Sequence, residues 1–244
     1  MTTTAPESTT ADTATTTGHT VVTVRADDLA ATIKAALTCA YPKSDLPAIN
    51  AVRLSVENSL HGEIAPVLAA AATDRISLAI SEARTLDVTG DPANFAALIP
   101  VAATKPLMAW LKSLPKHADV SLTSPITMGG HVEHRPDSLT ITEANGPGIN
   151  VVPQVVGPQF PAVRALLAPA MRGGDAPERT LPGSLSYNPD VLARFTSANL
   201  RRPYDPAKRE ASITFVLPET AHKPLGIRYS DHFTALVMPR RAIA

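Results

Sequence analysis

A pattern of strand, helix and then three or more strands recurs three times along this chain, and that repetition limits its fold more than any other feature. The first copy opens with a strand at Val21 to Arg25. "ADDLAATIKAALTCA" then places Leu29, Ile33 and Leu37 four apart on one helical stripe, away from Lys34, with Asp27 or Asp28 able to cap the start. "AINAVRLSVE", "APVLAAAATD" and "RISLAISEA" predict antiparallel strands with turns at Asn58 to Gly62 and near Asp74. The alanine run Ala69 to Ala72 has helical propensity too, and its neighbours decide for strand.

The second copy begins with the strand "NFAALIP". In the helix "TKPLMAWLKSLP", Thr104 is available as a cap, Pro106 is tolerated in the first turn, and Leu107, Trp110, Leu111 and Leu114 share a face. Strands are expected at "DVSLTS", near Met128 to His134, at "SLTITEA" and at "INVVPQVV". The third copy starts at "SLSYNPDVLARFTSANLRR", where Asn188 caps, Pro189 takes the first helical position, and Leu192, Phe195 and Asn199 follow at helical spacing. Its strands are "ASITFVL", "LGIRY" and "HFTALVM". Repetition at roughly 60 to 80 residues marks one supersecondary module used three times, without residue-level identity between copies.

Composition narrows the class. The 244 residues are 44% apolar, enough for a real core in one large or two small domains. Residues 1–19 are threonine-rich, lack a large apolar residue after Met1 and are expected to be a disordered tail. Lys plus Arg equals Asp plus Glu, 22 each, so contact with nucleic acid must come from local charge rather than a global field. The single cysteine, Cys39, excludes an internal disulfide and a cysteine-built zinc site, suits a reducing cytoplasm, and reads as a small buried apolar group. The longest apolar stretch, Ala65 to Ala72, falls far short of the roughly 20 residues that span a bilayer, and the N-terminus has no apolar signal region. A soluble, cytoplasmic protein without a membrane partner is expected. Proline is frequent, 23 residues, which favours short elements and rigid turns. Aromatics are scarce, so stacking on bare bases is not the expected binding mode.

Five segments together resemble a known family. "YNPDVLARF" followed by "KPLGIRYSDHFTALVMPRR" is similar to the last half-domain of the bacterial beta sliding clamp family, the DNA polymerase III beta subunit, whose chain ends in a strand and Met-Pro-x-Arg. "ALIPVAATKPLMAWLKSLP" resembles that family's strand and helix, "AAATDRISLAI" its Ala-Thr-Asp turn, and "PQFPAV" its Phe-Pro interdomain linker. The matches run in order from about residue 20 to 241.

The resemblance implies an α+β DNA-clamp fold of repeated strand-helix-strands modules, with antiparallel sheets outside and helices on an inner face. After the tail at 1–19, it implies a complete clamp domain of two modules at 20–162, a linker at 163–182 and a C-terminal half-domain at 183–244. The function implied is that of a non-enzymatic processivity factor, a homo-oligomeric ring around duplex DNA that tethers polymerase and clamp-loader peptides. The peptide pocket, carried over position by position, comprises Ile49, Thr73, Arg75, Leu78, Pro161, Leu166, Leu236, Met238, Pro239, Arg240 and Arg241. An apolar concavity with an adaptable methionine suits an extended peptide, and the arginines suit its acidic or carbonyl groups. Two departures stand out. The family's usual chain has twice as many modules, and Arg75, Ile76 and Ser77 replace the Gly-His-Arg of its pocket turn.

Lys34, Lys105, Lys112, Arg194, Arg201 and Arg202 lie on or at the ends of the three predicted helices and are the candidate DNA contacts, acting through phosphates without reading sequence. Asp27, Asp28 and Asp190 at helix starts fit capping and the helix dipole. "HVEH", His131 to His134, offers two imidazoles and a carboxylate, but among strands the two histidines point to opposite faces, so no metal is expected. No nucleophile elbow or phosphate-cradling loop is present, and no catalytic residue or cofactor is expected. Two other readings compete: a monomeric adaptor or decoy that keeps the peptide pocket without the ring, and a metal-dependent hydrolase using "HVEH".

Overall fold

The computed structural model describes residues 19–61, 65–125, 139–144, 146–151, 160–171, 185–202, 212–218, 220 and 222–240. The first module runs β1 (His19–Arg25), α1 (Ala26–Leu37), β2 (Ala51–Asn58), β3 (Pro66–Thr73) and β4 (Ser77–Arg84), with a short β5 (Asp87–Thr89) after it. The second runs β6 (Ala96–Pro100), α2 (Val101–Ser113), β7 (Asp119–Pro125), β8 (Leu139–Glu143) and β9 (Gly148–Val151). A helix α3 (Val163–Met171) follows. Two helical pieces come next, α4 (Pro189–Leu192) and α5 (Ser197–Leu200), and then β10 (Ile213–Val216), β11 (Leu225–Tyr229) and β12 (Phe233–Val237).

All pairings are antiparallel, in two sheets ordered β5-β1-β7-β8-β9 and β10-β11-β12-β4-β3-β2-β6. The leading strand of each complete module leaves its own sheet. β1 pairs with β7 of the second module from His19↔Pro125 to Arg25↔Asp119, and β6 pairs with β2 of the first from Ala51↔Pro100 to Ser55↔Ala96. The third module joins by edge pairing, β12 on β4, so one sheet crosses from module to module.

One face of both sheets meets α1 and α2 in a continuous core that includes Val22, Val24, Leu29, Ile33, Leu54, Leu107, Leu111, Leu122 and Ile141. The alanine run is strand because β3 is covered on both faces. Ala70 and Ala72 join that core, while Ala69 and Ala71 pack with Ile80, Leu236, Val163 and Leu167 of α3 on the opposite face. Small side chains let a helix lie close on each side, and a strand buried on both faces loses its apolar-polar alternation.

Several expectations change. The span 163–182, expected to be linker throughout, contains α3. Arg164 of that helix donates from Nη1 to Glu57 Oε2 at 3.0 Å and lies 3.9 Å from Oε1 of buried Glu82, which fastens α3 to the sheet. The third-module helix is broken into α4 and α5 where Thr196 and Ser197 follow each other, residue types that favour caps over helix interiors. Arg25, not Asp27 or Asp28, stands at the N-cap of α1; Asp27 instead accepts from Asp28 N and faces His117. Helix α2 begins at Val101, so Thr104 is not a cap: its hydroxyl donates back to the Val101 carbonyl, and Pro106 sits inside the helix. Asn188 does cap α4, accepting from Asp190 N, with Pro189 at the first position. The first strand begins at His19, two residues ahead of the predicted start. Residues 1–18, the strand expected near Met128 to His134 and "HVEH" lie outside the described residues.

Leu54 is fully buried between β3 and β6 under the helices. Leu54→Ala is expected to cost about 2–5 kcal/mol through lost transfer energy and the cavity left behind, read as a lower urea midpoint with the slope unchanged.

Candidate functional site

The pocket is expected beside the C-terminal strand, where β12 meets the turn between β3 and β4. Asp74 organises it: Oδ1 accepts from Ile76 N (3.0 Å), Ser77 N (2.7 Å) and Ser77 Oγ (2.9 Å). Thr73 Oγ1 donates to the Ser77 carbonyl at 2.8 Å, and Arg75 takes φ 78°, the left-handed region. A non-glycine residue there carries strain that this hydrogen-bond set offsets. Asp74 Oδ2 receives Arg194 Nη1 at 2.5 Å, and the same nitrogen donates to the Thr38 carbonyl at 3.4 Å, so the third module holds the turn from behind. Cys39 lies fully buried beside this cluster, and burial pushes its thiol up to about 12, which makes it inert.

Strand β12 runs against that turn. Leu236 pairs with Leu78, Leu78 with Thr73, and Met238 N donates to the Ile76 carbonyl at 2.8 Å. Thr73, Arg75, Leu78, Leu236 and Met238 are therefore brought together. Pro161 precedes α3, its carbonyl accepting from Val163 N, and α3 lies on β3, β4 and β12 with Leu166 on its exposed side. The floor is partly filled from within the chain, since Leu236 is buried in one cluster with Val163 and Leu167. What remains open is a rim: Ile76 is 45% exposed, Leu166 53% and Met238 47%. Pro239 is half-buried and Arg240 exposed, with Arg240 N donating to the Ser186 carbonyl. Ile49 is buried ahead of β2, and Arg241 lies outside the described residues. Ile76, in the turn next to Arg75, is exposed beside these residues and was not among those expected there.

The candidate cationic residues divide. α1 packs on α2 and on α5, and these elements border an open cleft of about 710 Å³ lined by Lys34, Lys112, Arg201 and Arg202 over Ala30, Met108 and Leu111. Lys105, exposed, precedes Lys112 by two helical turns and so shares its side of α2. Arg202 is buried, with Nη2 3.4 Å from Thr32 Oγ1, so it belongs to the cleft's structure rather than its surface. Arg194 is engaged with Asp74 and does not line this cleft. Lys116 and His117 do, His117 Nδ1 lying 3.1 Å from Asp27 Oδ2. "PKH" directly after the second helix was the available signal for them. Among the described residues no cluster of three His, Cys, Asp or Glu could hold a metal, and no helix is long and apolar enough to cross a membrane.

Modules that trade leading strands, with helices on one side and antiparallel sheet extending from module to module, define the DNA-clamp class of fold. Solved structures agree. The chain is similar to the DNA polymerase III beta subunit of Thermotoga maritima (12% identity, TM-score 0.54, covering 91% of this chain and 65% of that one). It is similar to the Bartonella birtlesii DnaN sliding clamp bound to griselimycin (14%, 0.59, 91% and 66%) and to the Bacillus subtilis DNA polymerase sliding clamp (16%, 0.56, 91% and 64%). The chain therefore has the fold of the DNA polymerase III beta sliding clamps, and it spans less than two thirds of the length of each of these three. No family model and no curated protein matches the sequence.

Arg194→Ala leaves a buried Asp74 carboxylate without its guanidinium partner. Because Arg194 is itself partly exposed, the expected loss is about 1–2 kcal/mol, against less than about 0.5 kcal/mol for Lys105→Ala, both measured by urea unfolding.

Proposed function

We propose that this protein acts as a sliding clamp, a homo-oligomeric ring around duplex DNA that tethers a polymerase through a short peptide bound beside β12. The observation that carries this reading is the conjunction of a clamp fold with a Thr73–Ser77 turn held against β12, where Ile76 and Met238 stay exposed, and with Leu166 exposed on the α3 that packs on β12. Apolar rim residues on a fixed frame suit one or two large side chains of an extended peptide, and methionine adapts to several. The work is topological and needs no chemical step. A tethered polymerase is held at high effective concentration near the primer end while the ring slides.

The cleft bordered by α1, α2 and α5 supports the DNA part of the reading. Lys34, Lys112, Lys116 and Arg201 supply local positive charge to a chain of zero net charge, and contact through phosphates is salt-sensitive and independent of sequence. The domain division at 20–162 and 183–244 belongs to the same proposal. Its alternative, an adaptor that keeps the peptide site without a ring, draws on the chain's short span of the known clamps.

Griselimycin, the ligand of the Bartonella birtlesii clamp, serves as a probe of the rim. The double variant Leu166→Ala, Met238→Ala is expected to bind it at least about tenfold more weakly by calorimetry, since each side chain contributes about 1.5–3 kcal/mol when fully covered. Unchanged affinity overturns the assignment. Lys34→Glu with Lys112→Glu is expected to shorten retention on circular duplex DNA, with a larger effect at low salt than at high salt. Equal retention at both salts removes the cleft from the DNA path.

A further inference from the structure

In each complete module the first strand after the helix is capped by a strand from the other module: β2 by β6 and β7 by β1. The equivalent strand of the third module is β10. It ends the seven-stranded sheet, and among the described residues it pairs on one side only, with β11. Its core-facing positions show what is missing. Val52 and Leu54 of β2 and Val120 and Leu122 of β7 are fully buried. Phe215 stands in register with Ile227, Ala235, Ala79 and Ala72, four fully buried core residues, yet it is 53% exposed, and Leu217 just beyond is 40% exposed. "ITFV" carries no charge and no proline, the usual devices that blunt an edge strand.

The same module also carries the matching piece. β1 is held on one side by its own module, where Leu86 N donates to the Thr23 carbonyl at 2.7 Å and β5 pairs on, and on the other by β7. Residues 185–188 hold the corresponding place before α4. Arg240 N, just past β12, donates to the Ser186 carbonyl at 2.8 Å, and Ser186 sits between Leu185 and Tyr187 as Thr23 sits between Val22 and Val24. Tyr187 packs against the core from this segment. The third module therefore has its leading segment docked on its own side, with no strand of a second module across from it among the described residues.

We infer that two copies of this chain complete one clamp domain between them, each laying residues 185–188 along β10 of the other. The contact is two-fold and isologous, so a single sequence supplies both the strand and the edge it caps. Phe215 and Leu217 then meet the partner's third module, as Leu54 and Leu122 meet the neighbouring module within one chain. This deepens the proposed ring by naming a joint, and it needs neither griselimycin nor DNA, so it stands or falls separately from the peptide site.

The test uses the full chain. Light scattering after gel filtration is expected to give an even multiple of 25.6 kDa for the wild type at micromolar concentration, and half that multiple or less for Phe215→Glu. Leu217→Glu is expected to do the same, and guards against a Phe215 variant that fails to fold. Hydrogen exchange is expected to slow at residues 185–188 and 213–216 together as concentration rises. Both variants are expected to keep wild-type griselimycin affinity, so loss of assembly is separable from loss of the rim. A wild type that stays monomeric, including one whose β10 is already protected by its own chain, overturns the inference. So does an odd subunit number, or assembly indifferent to both glutamates.

Discussion

Exchange of leading strands holds this structure together. β1 lies in a continuous seven-residue register with β7, although α1 and the β2–β4 sheet stand between them in sequence. Neither complete module can satisfy its own sheet: without β1 the edge of β7 is open, and without β6 the edge of β2 is open. Unpaired backbone groups at a buried edge cost about as much as lost hydrogen bonds, so the two modules stabilise each other or neither is complete. The helices follow from this arrangement. Once the sheets are bound by exchange, α1 and α2 are brought side by side over their common face and close one core.

The third module is attached differently, and the attachment runs through Asp74. β12 adds to β4 as an edge strand, an association that by itself leaves the turn before β4 free to move. Arg194 reaches from the third module to the same carboxylate that receives three donors from the Ile76–Ser77 segment. One buried anion therefore fixes the Ile76–Ser77 turn beside β12 and the packing of the third module together. A change at Arg194 acts on the rim at a distance, although its side chain does not line it.

Much of this was legible because periodicity reports burial. The helix stripe of Leu29 and Ile33, the face of Leu107 and Leu111, and the short strands of the first module appear where spacing places them. Residues 163–171 were harder. "VRALLAPAM" follows the Phe-Pro linker and contains Pro169, so it read as connection, and what makes it a helix is tertiary: Val163 and Leu167 cover alanines of β3 while Arg164 binds Glu57. The partner of Arg194 was hidden for a related reason. A positive charge near a helix is visible in sequence, but the buried acid 120 residues away that claims it is not. Lys34, Lys112 and Arg201 line one cleft because helix–helix packing gathers side chains that share a solvated face.

The exposed apolar side chains at Met238 and at Phe215 differ in the backbone beneath them. Met238 follows β12, a strand paired on both sides, and its own amide is already committed to Ile76. A ligand there would meet side chains on a finished frame, with no backbone edge left to pair. Phe215 lies on β10, whose outer edge has no pairing strand among the described residues. An apolar side chain beside an unpaired edge is satisfied by a strand, which supplies backbone partners and cover at once. A small apolar ligand would shield Phe215 and leave the edge open. The rim beside Met238 thus suits a short flexible segment, and the edge at β10 suits a folded neighbour.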